Sequence, residues 1–227
     1  MNIDSLTALN AKVTACRRCP RLVEWREQVA REKTARFRDW GYWGRPVPGF
    51  GDPKARVLVV GLAPAAHGGN RTGRVFTGDR SGDWLYAALY RAGFANQATS
   101  LGRDDGLRLT GAYITAIVKC APPANKPLPE ERANCLPYFE RELALLRDVR
   151  VFVCLGAYAL DGLSRALGLR PRPKFGHGVE IPLPQGRTIV CSFHPSQQNT
   201  FTGKLTAAML DAVFARARDL AELSRPA

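Results

Sequence analysis

The sequence has no long apolar run. Its longest mostly apolar stretch, Val57–Ala66, falls far short of the ~20 residues a membrane-crossing helix needs. The N-terminal stretch MNIDSLTALNAKVTACRRCP has no continuous apolar segment, so no export signal is expected and the chain reads as cytoplasmic. In that setting its six cysteines read as including metal ligands rather than as a disulfide set. The chain also lacks a Walker A loop and a G-x-G-x-x-G turn, which weakens the two common nucleotide-binding readings. No internal repeat or low-complexity block is present. Acids are scarce: 20 Asp and Glu stand against 33 Lys and Arg, leaving a formal charge of +13. The excess runs from end to end and favours a polyanionic partner, most simply nucleic acid.

The 227 residues suffice for a full core. Four runs read as strands buried on both faces: Arg56–Leu62, Tyr113–Lys119, Arg150–Leu155 and Thr188–Phe193. Helical patterns lie between them. Ser81 is placed to cap a helix carrying Leu85 and Leu89, with Gly93 at its exit. Pro129 opens a second helix, with Leu136, Phe139, Leu143 and Leu146 on one stripe. A third starts near Ala157, and Gly203–Leu223 closes the chain. This alternation predicts a three-layer α/β/α sandwich around a four-stranded, mostly parallel sheet. Residues 1–55 read as an N-terminal extension, with Asn2–Glu32 helical but broken at Cys-Arg-Arg-Cys-Pro. The whole of 1–227 is then one domain.

Cys16 and Cys19 form a C-x-x-C, while Cys120 ends the second strand and Cys135 falls in the next helix. Four thiolates suit structural zinc or an iron–sulfur cluster. Zinc normally takes its second pair from another tight knuckle, which tilts the reading toward iron–sulfur. A free cysteine is also often a plain small hydrophobe, and Cys154 and Cys191, mid-strand, read that way.

Ligands of open parallel sheets sit outside the carboxyl ends of the strands. The loop after the first strand, Gly61–Gly82, holds six glycines, offering close backbone approach and N–H groups. After the second comes Cys-Ala-Pro-Pro-Ala-Asn-Lys-Pro, whose prolines stiffen the setting of Asn125. After the fourth comes Phe193-His194-Pro195-Ser196-Gln197-Gln198-Asn199-Thr200. His67 and His177 have only loop position in their favour.

Together, Gly61–Leu85, the segment KCAPPANKP, His194–Thr200 and the Cys-Arg-Arg-Cys-Pro start resemble the uracil-DNA glycosylase superfamily, most closely its family 5 (type b) iron–sulfur branch. The likeness covers essentially the whole chain. The stretch Gly61-Leu62-Ala63-Pro64-Ala65-Ala66 lacks the polar residue that most members carry there, which is itself the type b mark. The resemblance implies catalytic roles for Asp79, Asn125 and His194, and a 4Fe-4S cluster on Cys16, Cys19, Cys120 and Cys135.

It further implies a glycosylase acting on uracil in double-stranded DNA, with hypoxanthine and other deaminated bases as further candidates. Phe76 and the backbone of Gly61, Leu62, Ala63 and Ala65 are expected to hold the extruded base. Arg71, Arg74, Arg80, Ser196, Gln197, Gln198 and Lys204 are expected to contact DNA. Arg31, Lys33, Arg36, Arg38 and Arg45, interleaved with Phe37, Trp40, Tyr42 and Trp43, form either a second DNA strip or a packed surface. The protein is expected to be a monomer with no membrane partner. The competing readings are a non-catalytic iron–sulfur nucleic-acid-binding module and a nucleotide-processing enzyme of another chemistry.

Overall fold

The computed structural model describes residues 5–223, so the expected helical start at Asn2 lies outside the described residues. Six strands form one sheet: β1 (Phe50–Gly51), β2 (Val57–Gly61), β3 (Ala112–Ala116), β4 (Val151–Leu155), β5 (Glu180–Leu183) and β6 (Arg187–Ser192). Their spatial order is β1-β3-β2-β4-β6-β5. The four strands read from the sequence are the parallel centre, and every residue of β2, β3 and β4 is buried. The expected four-stranded sheet gains an antiparallel strand at each edge. Neither had a clear signal: β1 is two residues long, and β5 carries Pro182, which only an edge tolerates.

Successive strand residues point to opposite faces and so feed two cores. Val57, Val59, Ile114, Val151, Val153 and Val190 pack with α4 (Arg80–Arg91) and α8 (Ala207–Leu223). Leu58, Val60, Tyr113, Phe152 and Ile189 face α5 (Pro129–Leu145) and α6 (Ala157–Ala166). The result is the three-layer sandwich. The last helix starts at Ala207 rather than Gly203, because a short α7 (Gln197–Phe201) and a turn intervene. Asp79, not Ser81, caps α4, accepting from the Gly82 N–H at 3.0 Å.

The first residues form α1 (Leu6–Thr14), packed on α5, and α2 (Pro20–Glu32), with Pro20 at its first position. From β2 the chain crosses to β3 on one side and then returns past β2 to β4 on the other. The crevice beyond the carboxyl ends of β2 and β4 is therefore where such folds bind ligands.

Candidate active site and cysteine centre

The glycine-rich loop after β2 is held from inside by two of its own arginines. Arg71, on the short helix α3 (Gly69–Thr72), is buried and donates to the carbonyls of His67 and Gly78, both at 2.7 Å. Its guanidinium lies against the rings of Phe37, at 3.8 Å, and Trp40, at 4.3 Å. Arg74 is buried too, pairing through both nitrogens with Asp105 and donating to Ser100 Oγ and Thr77 Oγ1. Arg74 thus has every guanidinium nitrogen engaged, while Arg71 keeps only Nη1 without a partner; both lie buried rather than on the surface where DNA contacts were expected. The Phe37–Trp40 part of the possible second strip serves as packing for Arg71.

Burial alone would raise the Asp105 pKa. The Arg74 guanidinium and the N–H groups of Leu107, Leu101 and Gly102 outweigh it and hold the carboxyl well below the usual range. Asp105→Ala therefore leaves a buried cation unpaired and is expected to cost about 3 kcal/mol, roughly 6–12 °C in Tm for a chain this size. The loss is measured by thermal unfolding at neutral pH. A depressed carboxyl contributes its full stability above its unfolded pKa and loses it as pH falls through the folded one, so the difference between wild type and variant should shrink as pH falls through the acid range.

Asp79 stands where this loop meets α4, with its carboxylate at the positive end of the helix. Burial raises its pKa, against the N–H groups of Gly82 and Ser81 and the Arg71 charge, which lower it. The carboxylate lies so close to Gly68 that a Cβ there would sit 2.0 Å from Oδ2, so only glycine permits this placement. Phe76 adopts a left-handed backbone, φ +52°, rare for an aromatic residue and costly unless its surroundings impose it. Its ring covers Gly61, where a Cβ would be 2.7 Å from it, and its centroid is 5.6 Å from that of His194. Among the described residues the N–H groups of Ala63, Ala65 and Ala66 make no hydrogen bond. With apolar side chains around them, these donors are what the turn offers a ligand.

His194 follows β6, and its carbonyl accepts from Asn199 Nδ2 at 2.8 Å, which fixes the loop. Burial pushes its pKa down to about 4, so the imidazole is neutral near pH 7. A Cβ on Gly156, the residue between β4 and α6, would lie 3.6 Å from the His194 Cβ. Sequence reading missed Gly156, although a glycine between a buried strand and a helix is a visible sign of close approach. His177 accepts the Phe193 N–H at Nδ1 and stacks on that ring, bracing the end of β6. His67 meets the Tyr42 hydroxyl at 3.0 Å. Both are used internally.

Phe76 and His194 thus meet ring to ring, while the Asp79 carboxylate lies against Gly68 on the same glycine-rich loop as Phe76. Asn125 makes no contact of its own with them. It lies exposed on the β3 loop, φ +55°, with its side chain unbonded among the described residues. Around the mouth, Arg80, Gln197, Gln198 and Lys204 are exposed, and Ser196 is half-buried at the start of α7. Arg80 lies over the ring of Phe201 at 4.5 Å, and Lys204 over Phe193 at 4.7 Å. Phe201 is 66% exposed, an unsatisfied apolar ring on a basic rim that the sequence did not flag.

The four cysteines line one cavity together with Arg26, Lys119, Asn134 and Tyr138. Cys16 follows α1, Cys19 caps α2, Cys120 follows β3 and Cys135 projects from α5. Arg26 Nη1 donates to Cys120 Sγ at 3.0 Å, and Asn134 Nδ2 to Cys19 Sγ at 3.5 Å. Among the described residues, no three His, Cys, Asp or Glu side chains converge on the spacing one metal ion needs. Burial pushes Cys120 up to about 12 and Cys135 up to about 11. Such thiols ionise only with a strong cation to meet them. Four sulfur donors with N–H groups aimed at two of them are the soft ligand set that a thiolate-held metal centre needs. Cys154 and Cys191 pair in register on β4 and β6 as core residues.

Residues 48–218 match the family model of the uracil DNA glycosylase superfamily. The chain is 56% identical over 212 residues to a type-5 uracil-DNA glycosylase of Thermus thermophilus, covering 93% of this chain and 96% of that one. Identity to the type-5 enzyme of Mycobacterium tuberculosis is 53% over 220 residues, 96% of this chain and 82% of the relative. A type-4 enzyme of Pyrobaculum aerophilum is 35% identical over 162 residues, 68% and 74% of the two chains. The loops that converge beyond β2, β4 and β6 are thus set in a chain that belongs to the uracil-DNA glycosylase superfamily.

Proposed function

We propose that this chain is a base-excision DNA glycosylase that hydrolyses the N-glycosidic bond of uracil in double-stranded DNA and leaves an abasic site. What supports this reading is a neutral imidazole beside Phe76, whose ring covers Gly61, with a half-buried carboxylate and a turn of free N–H groups on the same glycine-rich loop. Breaking a base–sugar bond makes the sugar cation-like and the base anionic. A dry site must then offer donors to the base oxygens and negative charge near the sugar.

His194 donates to a carbonyl of the leaving base and stabilises its developing charge. Asp79 orients the attacking water and favours the oxocarbenium-like sugar. Asn125, now exposed, joins as a water ligand when DNA closes over its loop. Phe76 and the turn Gly61–Ala65 hold the extruded base. Few polar side chains inspect the base there, so hypoxanthine and other deaminated bases are substrates too. Cys16, Cys19, Cys120 and Cys135 hold a 4Fe-4S cluster, which supplies structural cross-linking rather than chemistry. The whole chain acts as one monomeric unit, residues 1–55 contributing two of the four thiols. No helix among the described residues is long and apolar enough to cross a membrane.

Incubation with a uracil-containing duplex followed by alkali tests the reading. Strand breaks at the uracil are expected, and their absence at every salt concentration would favour a non-catalytic binding module. The rim makes a second claim. Removing the charges of Arg80 and Lys204 together should lower duplex affinity for all sequences alike and flatten the salt slope of log K by roughly 2. An unchanged slope in a salt titration removes them from the interface.

A further inference from the structure

Arg26 carries a buried charge that no close carboxylate neutralises. It projects from α2 and is 2% exposed. Its nearest carboxylate oxygen, on Glu27, is 3.9 Å away, and that group already binds Arg17 at the surface. Nη1 donates to Cys120 Sγ at 3.0 Å, Nη2 donates to the Cys16 carbonyl at 3.2 Å, and Nε has no partner. Lys119, the other buried cation at this cavity, is different, for its Nζ is bound to Glu142 and Thr115. A desolvated guanidinium whose nearest carboxylate is this distant and already shared is weakly neutralised. The other groups it faces are those of the cysteine cavity.

We infer that Arg26 is the counter-ion and positioning residue of the group the four cysteines hold, with its guanidinium fixed on the Cys120 sulfur. This rests on the proposed 4Fe-4S reading. A cluster held by four thiolates is net anionic, and hydrogen bonds to its sulfurs and nearby charge set its potential and lifetime. Arg26 also reaches the catalytic loop, because its carbonyl accepts from the buried Asn70 Nδ2 at 3.1 Å. Its two ends therefore tie α3 and the glycine-rich loop to the cysteine centre.

The test compares wild type, Arg26→Lys, Arg26→Gln and Arg26→Met, purified as holoprotein without oxygen. Iron and sulfide per chain, visible absorption, midpoint potential and the rate of cluster loss to excess chelator are measured. Arg26→Met should lose its cluster at least tenfold faster than wild type, and its midpoint potential should move to more negative values. Arg26→Lys, which keeps the charge, should lie nearer wild type, and Arg26→Gln nearer Met. Wild-type potential and lifetime in Arg26→Met overturn the inference while leaving the cluster reading intact. Wild type purified without iron and sulfide overturns the cluster reading itself. Should Arg26→Met not fold, the Lys and Gln variants decide: equal lifetimes and potentials in the two refute a charge role.

Discussion

Replacing Asp79 with asparagine should lower turnover on a uracil duplex by about 100- to 10,000-fold, the range that a positioned acid–base group contributes. Stability should not fall with it. Asparagine is as good a helix cap as aspartate, so the bond from Gly82 survives. The native carboxylate is also desolvated and its pKa raised. The sign follows from linkage: a carboxyl whose folded pKa lies above its unfolded value costs stability above that unfolded pKa, and the cost disappears below it. At pH 7 the neutral amide removes that cost, and the variant should melt no lower than wild type. The pH profile of kcat/KM should rise through a pKa above the ordinary ~3.9 of aspartate and then level off. Gly68→Ala should give a similar but smaller loss, because a methyl group there displaces the same carboxylate. An Asp79→Asn enzyme with wild-type turnover would remove this residue from the chemistry.

The central strands were legible because strands buried on both faces must be nearly all apolar, and no other short segment here is. The edge strands obey no such rule, and Pro182 argued openly against β5. The site was legible in outline, since glycine, histidine and cysteine at strand ends have few other uses. Its electrostatics were not. Arg71 and Arg74 show only their charge in the sequence, and what burial does to them depends on distant partners. Arg71 is clamped by Phe37 and Trp40 from the N-terminal segment. Arg74 is taken up by Asp105, thirty-one positions along the chain. Pairings of that range have no local signature. The same limit applies to Phe201, whose exposure follows from the brief α7, and to the exposed, left-handed setting of Asn125.

The +13 charge is correspondingly narrower in meaning than it first was. Part of it is structural, holding the catalytic loop together, and part faces the cysteine cavity. Arg80 and Lys204, exposed beside the Phe201 and Phe193 rings, are the loop charges left for the proposed phosphate contacts. Electrostatic attraction brings DNA to the enzyme, but discrimination then falls to the pocket.

His194→Ala is expected to cut kcat by about 100- to 1,000-fold, the usual result of removing one preorganised donor to a developing oxyanion, or ~2.7–4 kcal/mol. Duplex affinity should change little, because the ring points into the pocket region beside Phe76 rather than onto the rim. The protonation state makes the prediction sharper. With its pKa pushed down to about 4, the imidazole is neutral across the working range, so the role proposed for it is that of a dipolar donor, not a cation. Turnover should therefore be flat between about pH 6 and 8, with no step near the ordinary histidine value of ~6.5. His194→Gln, which keeps an N–H, should recover part of the loss. A step near 6.5 in wild type that vanishes in His194→Ala would show instead that the charged ring does the work. Full activity in His194→Ala would move the oxyanion role to the free N–H groups of Ala63, Ala65 and Ala66.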